Sequence, residues 1–173
     1  MRIQLPEPSL VVLVGAAGSG KSTFAARHFA PNQVLSSDGF RAAVSGDAGD
    51  QRVTRTAFSI LHRELARRLA ARRTTLVDAT SVTAYARRGL VRLATAAGIP
   101  AVAIVLALPR QLVLARNATR DGRIVPEEAV GRQLDDLDRS LRRGLDLEGF
   151  EAVHVLRTAA EVDDLEIDWR PRA

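Results

Sequence analysis

Residues 15–23 read Gly-Ala-Ala-Gly-Ser-Gly-Lys-Ser-Thr, with Gly15, Gly18, Ser19 and Gly20 leading into Lys21, Ser22 and Thr23. The spacing G-x-x-x-x-G-K-[ST] is suited to holding phosphate. Glycines let successive backbone N–H groups turn inward around phosphate oxygens. A helix starting at the end of such a loop adds the positive partial charge of its N-terminus. Lys21 reaches the β- and γ-phosphates, and Ser22 can ligate Mg²⁺. Lys21 is also the only lysine among 25 basic residues. Arginine holds every other cationic position, yet a compact ammonium stands here.

Other residues of the right type recur after apolar runs. Ligands of open α/β sheets gather outside the carboxyl ends of the strands. After residues 33–36 comes Asp38, able to accept the proton of an acceptor hydroxyl, with Arg41 three residues on. Arg41 could hold a phosphate of the acceptor or orient Asp38. Asp38 also suits a helix N-cap, and one residue can fill both roles. After residues 74–77 come Asp78 and Thr80. Asp78, at a strand end, would hold Ser22 or bind Mg²⁺ through water. The alternative has Asp78 as the base and Asp38 as structural. Arg116, Arg120 and Arg123 recur at spacings of 4 and 3, on a helix end that Gly122 interrupts. They suit a lid, over about residues 116–140, that neutralises charge on a transferring phosphoryl group. Gln51, Thr54 and Arg55 open a long helical stretch, where a phosphate grip for an acceptor competes with a plain polar first turn. His28, His62 and His154 are scattered and form no metal-ligand spacing.

Strands and helices must alternate to place these groups. Apolar runs at 10–14, 33–36, 74–77, 101–108 and 152–156 read as five strands. Helical stretches follow at 22–29, 51–72, 84–97, 110–119 and from Pro126. In the second, Phe58, Leu61, Leu65 and Leu69 recur every three or four residues. Gly98 and Pro100 close the third. Glu127 and Glu128 suit the first turn of the last, whose stripe is Val130, Leu134, Leu137 and Leu141. Alternation of this kind implies an α/β fold with a mostly parallel five-stranded sheet covered on both faces. Residues 163–173 read as a short helix or a linker stub.

At 173 residues the chain reads as a single domain, 1–173, long enough to bury a core. It has no cysteine, which excludes disulfides, cysteine-held zinc, iron–sulfur clusters and thiol catalysis. No apolar run is long enough to span a membrane. Residues 1–6 lack the apolar core of a secretory leader. A cytoplasmic setting is therefore expected. The net charge of +5 suits a polyanionic partner. The 4% aromatic content argues against base stacking as the main source of affinity.

Taken in order, these motifs resemble the kinase module of bacterial polynucleotide kinase-phosphatases, the RNA end-healing enzymes. The resemblance rests on residues 15–24, on Ser36-Ser37-Asp38 with Arg41, and on Asp50-Gln51. It rests also on Val77-Asp78-Ala79-Thr80 and on Arg116-Asn117 with Arg120 and Arg123. It implies a three-layer P-loop kinase fold and transfer of the ATP γ-phosphate to the 5′-hydroxyl of RNA or DNA, with Mg²⁺. Lys21 and Ser22 would match the phosphate and metal residues, Asp38 the general base and Arg41 its acceptor-binding partner. Arg116 and Arg120 would match lid arginines on the ATP phosphates. Gln51 and Thr80 fall in segments near the acceptor. The chain departs from the pattern at Ser81, where family members often carry Asn. Such bacterial enzymes usually carry phosphatase and ligase modules too. The resemblance thus implies either a module of a longer parent chain or a free-standing kinase. A kinase of a small alcohol would share the same core. A nucleotide-dependent switch would have little use for a base at Asp38, and no Asn-Lys-x-Asp motif is present.

Overall fold

The computed structural model describes residues 1–47, 49–120 and 124–172, and for Gln51 the backbone alone. Its centre is a parallel five-stranded sheet. The strands are β2 (Leu10–Val14), β3 (Val34–Ser36), β4 (Thr75–Asp78), β5 (Ala101–Leu106) and β6 (Ala152–Leu156), in the spatial order β3-β4-β2-β5-β6. β2, β4 and β5 are buried along their whole length, which explains their continuous apolar runs. The side-chain period of two divides them between two cores. Val11 and Leu13 join one with Ile104 and Leu106. Leu10, Val12 and Val14 join the other with Ala103 and Val105.

On the first face lie α1 (Lys21–His28), α5 (Arg110–Ala118) and the start of α6 (Glu127–Arg143). On the second lie α3 (Thr54–Ala70), α4 (Ala84–Ala96) and the end of α6. The apolar stripes read from the sequence are the buried faces: Leu61, Leu65 and Leu69 in α3, and Val130, Leu134 and Leu137 in α6. Gly98 adopts φ +63°, where a side chain would be strained, and the N–H of Ile99 bonds Ala94 O at 2.9 Å to close α4. No helix among the described residues is long and apolar enough to cross a membrane.

Three departures from expectation matter. A short helix, α2 (Ser37–Ser45), follows β3 directly. Its N-cap is Ser36, whose Oγ accepts from Gly39 N at 3.3 Å, so the capping role proposed for Asp38 belongs to Ser36. Within the expected lid span of 116–140, the α6 portion carries buried Val130, Leu134 and Leu137, and is core rather than cover.

The tail is not a stub either. After α7 (Ala159–Asp163), β7 (Glu166–Pro171) pairs in parallel with β1 (Arg2–Glu7) in a separate two-stranded sheet. β1 buries Ile3 and Leu5 in the first core, and Trp169 of β7 meets Phe29 edge-on at 5.6 Å. Leu5→Ala, at a side chain with no exposure, is therefore expected to cost about 2–5 kcal/mol in urea denaturation. A loss below about 1 kcal/mol would show that β1 is not integrated with the core.

Candidate active site

The phosphate loop leaves β2 at the centre of the sheet and is shaped by glycine where nothing else fits. Gly18 and Gly20 have φ of +84° and +93°. A Cβ at Gly18 would also lie 2.6 Å from Val113 O. At Gly15 it would meet Ser19 Oγ at 2.7 Å. Two further bonds fix the loop. Gly15 N donates to Thr80 O at 3.0 Å, and Ala17 N donates to Gln133 Oε1 at 2.8 Å. Gly20 caps α1 without a side-chain bond, so no cap side chain occupies the first N–H groups of that helix, the groups an anion at a helix N-terminus would use.

Lys21 is buried, and its Nζ donates to Ala16 O at 2.8 Å. Burial pulls its pKa down to about 8, opposed by the Asp78 carboxylate and reinforced by Arg120. Ser22 Oγ donates to Asp78 Oδ2 at 2.8 Å. A hydroxyl and a carboxylate side by side are hard oxygen ligands, and they fit Mg²⁺ that keeps waters and phosphate oxygens in its remaining positions. No cluster of three or more metal-binding side chains exists among the described residues.

A cleft of about 590 Å³ opens over the loop, within the size range of small-molecule sites. It brings together Gly18, Gly20, Lys21, Ser22, Thr23, Asp38, Arg41, Thr54, Asp78, Thr80, Arg116 and Arg120, all expected from the sequence. Asp38 and Arg41 form an ion pair three residues apart on α2; Arg41 is buried and Asp38 half-exposed toward the cleft. The Arg116 guanidinium stands over Gly20, 3.8 Å from where a Cβ would lie. Gly15 and Ser19 support the loop from behind rather than lining the cleft. Arg55 is exposed and outside its wall. The side chain of Gln51, and Arg123, lie outside the described residues.

Several contributors carry no signal in the motif set. Gln133 sits on the inward side of α6 one turn after Val130, a polar residue on an apolar stripe. Phe58, Val82 and Ala86 add apolar lining to the cleft, and Arg27, Val162 and Asp163 line it as well. Asn117 is buried and grips the backbone of Val125 from both sides, donating to its O at 2.7 Å and accepting from its N at 3.2 Å. Arg87, fully buried, donates to Glu148 at 2.5 and 2.7 Å and to Ser81 O at 2.8 Å. Ser140 Oγ donates to Val82 O at 2.6 Å. These bonds hold residues 81–82, including Ser81 at φ +46°, against the cleft.

The protonated ammonium of Lys21 is the form that grips phosphate, and bound phosphate raises its pKa. ATP binding therefore takes up a proton above pH of about 8. The expected result is a Kd for ATP that is flat below this pH and rises above it, by at most about tenfold per unit. A Kd unchanged well above this range, measured by calorimetry, would contradict the assignment.

A family model described as an AAA domain matches residues 10–143. No curated protein matches the chain by sequence. Among solved structures, a chain of the Pnkp1/Rnl/Hen1 RNA repair complex aligns with a TM-score of 0.69 at 23% identity, covering 81% of this chain and 47% of its own. This chain thus spans about half the length of that relative. A gluconokinase from Sinorhizobium meliloti 1021 aligns with a TM-score of 0.57 at 18% identity, over 92% of this chain and 88% of its own. Shikimate kinase from Acinetobacter baumannii aligns with a TM-score of 0.54 at 21% identity, over 90% and 87%. At these identities the likeness concerns the fold, that of a P-loop kinase.

Proposed function

The chain belongs to the AAA domain family, and from that premise we propose that it is an ATP-dependent polynucleotide 5′-hydroxyl kinase. The observation that carries this reading is the Asp38–Arg41 pair, which shares one cleft with Lys21 but belongs to a different element. A carboxylate that faces the phosphate loop and is held by a buried guanidinium suits the deprotonation of an acceptor hydroxyl. Arg41 can also meet the phosphate next to the reacting 5′-end. The fold likeness to a chain of an RNA repair complex supports the same choice of acceptor.

In the proposed reaction Lys21 and the loop N–H groups hold the β- and γ-phosphates. Ser22 and Asp78 would hold Mg²⁺, which supplies charge neutralisation on the phosphates. Asp38 takes the proton of the 5′-hydroxyl as its oxygen bonds the γ-phosphorus. The bond from that phosphorus to the β–γ bridging oxygen breaks, and ADP leaves. Arg116 and Arg120 offset the charge that develops on the transferring group. Catalysis is then mostly positioning and charge stabilisation. Thr54 and Thr80 lie on the cleft wall available to the acceptor. Phosphatase and ligase modules would be natural companions in a longer parent chain.

A second reading, a kinase of a small alcohol, is favoured by the near full-length likeness to the gluconokinase. Incubation with γ-labelled ATP, Mg²⁺ and a 5′-hydroxyl oligonucleotide, beside the same strand already 5′-phosphorylated, decides between them. Label is expected in the 5′-hydroxyl strand alone. Label in neither strand, with ATP still bound, would move the assignment to a small alcohol. Arg41→Ala is expected to raise KM by about tenfold or more for an acceptor with a phosphate beside its hydroxyl. It should do far less to a minimal alcohol. Equal losses on both would remove Arg41 as a phosphate grip.

A further inference from the structure

Beyond the acceptor end of the cleft, α3 and α4 lie side by side. Gly89 of α4 faces His62 of α3 so closely that a Cβ would come 3.2 Å from the imidazole. Both helices start at the cleft: Thr54 and Phe58 of α3, and Thr83 and Ala86 of α4, line it. Tyr85, the only tyrosine, adjoins Ala86 and is 87% exposed, more than any other large apolar side chain among the described residues. Residues three and four apart share a helix face. Tyr85, Arg88 and Arg92 therefore form one outer stripe on α4, and Arg55, Ser59 and Arg63 form one on α3. All six are exposed, and neither stripe contains an acid.

Among the described residues Arg2, Arg52, Arg67, Arg139 and Arg172 are each engaged by a carboxylate, whereas the exposed Arg72, Arg73, Arg142, Arg143 and Arg170 are not. What sets the α3–α4 face apart is that its arginines run from the mouth of the cleft beside an exposed ring. The guanidinium groups of Arg55, Arg63, Arg88 and Arg92 have no ion-pair or hydrogen-bond partner among the described residues. Four unneutralised cations and one exposed ring thus start at the acceptor mouth and run along two adjacent helices. Phosphates with intervening bases match that arrangement, because a single strand is held by backbone-tracking cations and by aromatic platforms. From residue 85 to residue 92, α4 advances about 10 Å. At a strand rise of about 3.4 Å, that length holds roughly three nucleotides.

We infer that the α3–α4 face is the track for the acceptor strand beyond its reacting terminal nucleotide. Tyr85 stacks on a base at the mouth, and Arg63, Arg88 and Arg92 follow the phosphates. This inference rests on the polynucleotide reading above and adds to it the path of the strand and the length preference that follows.

The test compares the protein with Tyr85→Ala and with a combined Arg63→Ala/Arg88→Ala/Arg92→Ala variant. Each is assayed with a fluorescent 5′-hydroxyl strand of about twelve nucleotides and with a 5′-hydroxyl dinucleotide, for binding by anisotropy and for phosphate transfer. Both variants are expected to lose about tenfold in kcat/KM on the long strand and less than about twofold on the dinucleotide. The triple variant should also flatten the slope of log affinity against log salt by about 2. Equal losses at both lengths, unchanged kinetics on the long strand, or no binding of the strand by the unaltered protein would each overturn the track. A strand that binds with this dependence on Tyr85 and the arginines but accepts no phosphate would keep the track and refute the kinase reading.

Discussion

The bond from Ser22 Oγ to Asp78 Oδ2, 2.8 Å long, joins the exits of two adjacent central strands, and the chemistry is organised around it. β2 and β4 pair in parallel, with Val12 opposite Val77, so their carboxyl ends emerge side by side. The bond from Gly15 N to Thr80 O makes a second tie between the same two loops. The phosphate loop, the candidate metal ligands and the wall that includes Thr80 therefore form one unit. That unit depends on strands with no exposure: Leu10–Val14 on one side and Leu76 and Val77 on the other.

Charge around this unit is arranged by depth. Lys21 is buried deep enough for its pKa to fall to about 8, which leaves it ready to gain from an arriving phosphate. Arg116 of α5 and Arg120, just beyond that helix, line the cleft, and Asn117 clasps the backbone of Val125. Across the cleft, Arg41 is buried against Asp38.

The sequence was most informative where chemistry restricts residue type. The phosphate loop, Asp38 with Arg41, Asp78, Arg116 and Arg120 could be named as candidates because few residue types suit phosphoryl transfer, and they line one cleft. The five central strands were readable because double burial leaves continuous apolar runs. β1 and β7 were not. Each alternates only briefly, as in Ile3 and Leu5 or Ile167 and Trp169, and their pairing joins the two ends of the chain. No local window contains such a contact. Arg87, Gln133 and Asn117 were illegible for a related reason: a polar residue on an apolar helix face has meaning only when its distant partners, Glu148, Ala17 and Val125, are known.

In the proposed reaction one carboxylate, Asp38, serves the acceptor while Lys21, Ser22 and Asp78 serve the donor. Asp38→Asn tests it most directly, because the change keeps the shape of the side chain and removes its basicity. ATP·Mg²⁺ affinity and single-turnover phosphate transfer to a 5′-hydroxyl strand would be measured on the same preparation. Nucleotide affinity is expected to be unchanged, with transfer slowed by about 10²–10⁴. Transfer at near-normal rate, or a collapse of nucleotide affinity, would contradict that division of roles and move the base to Asp78.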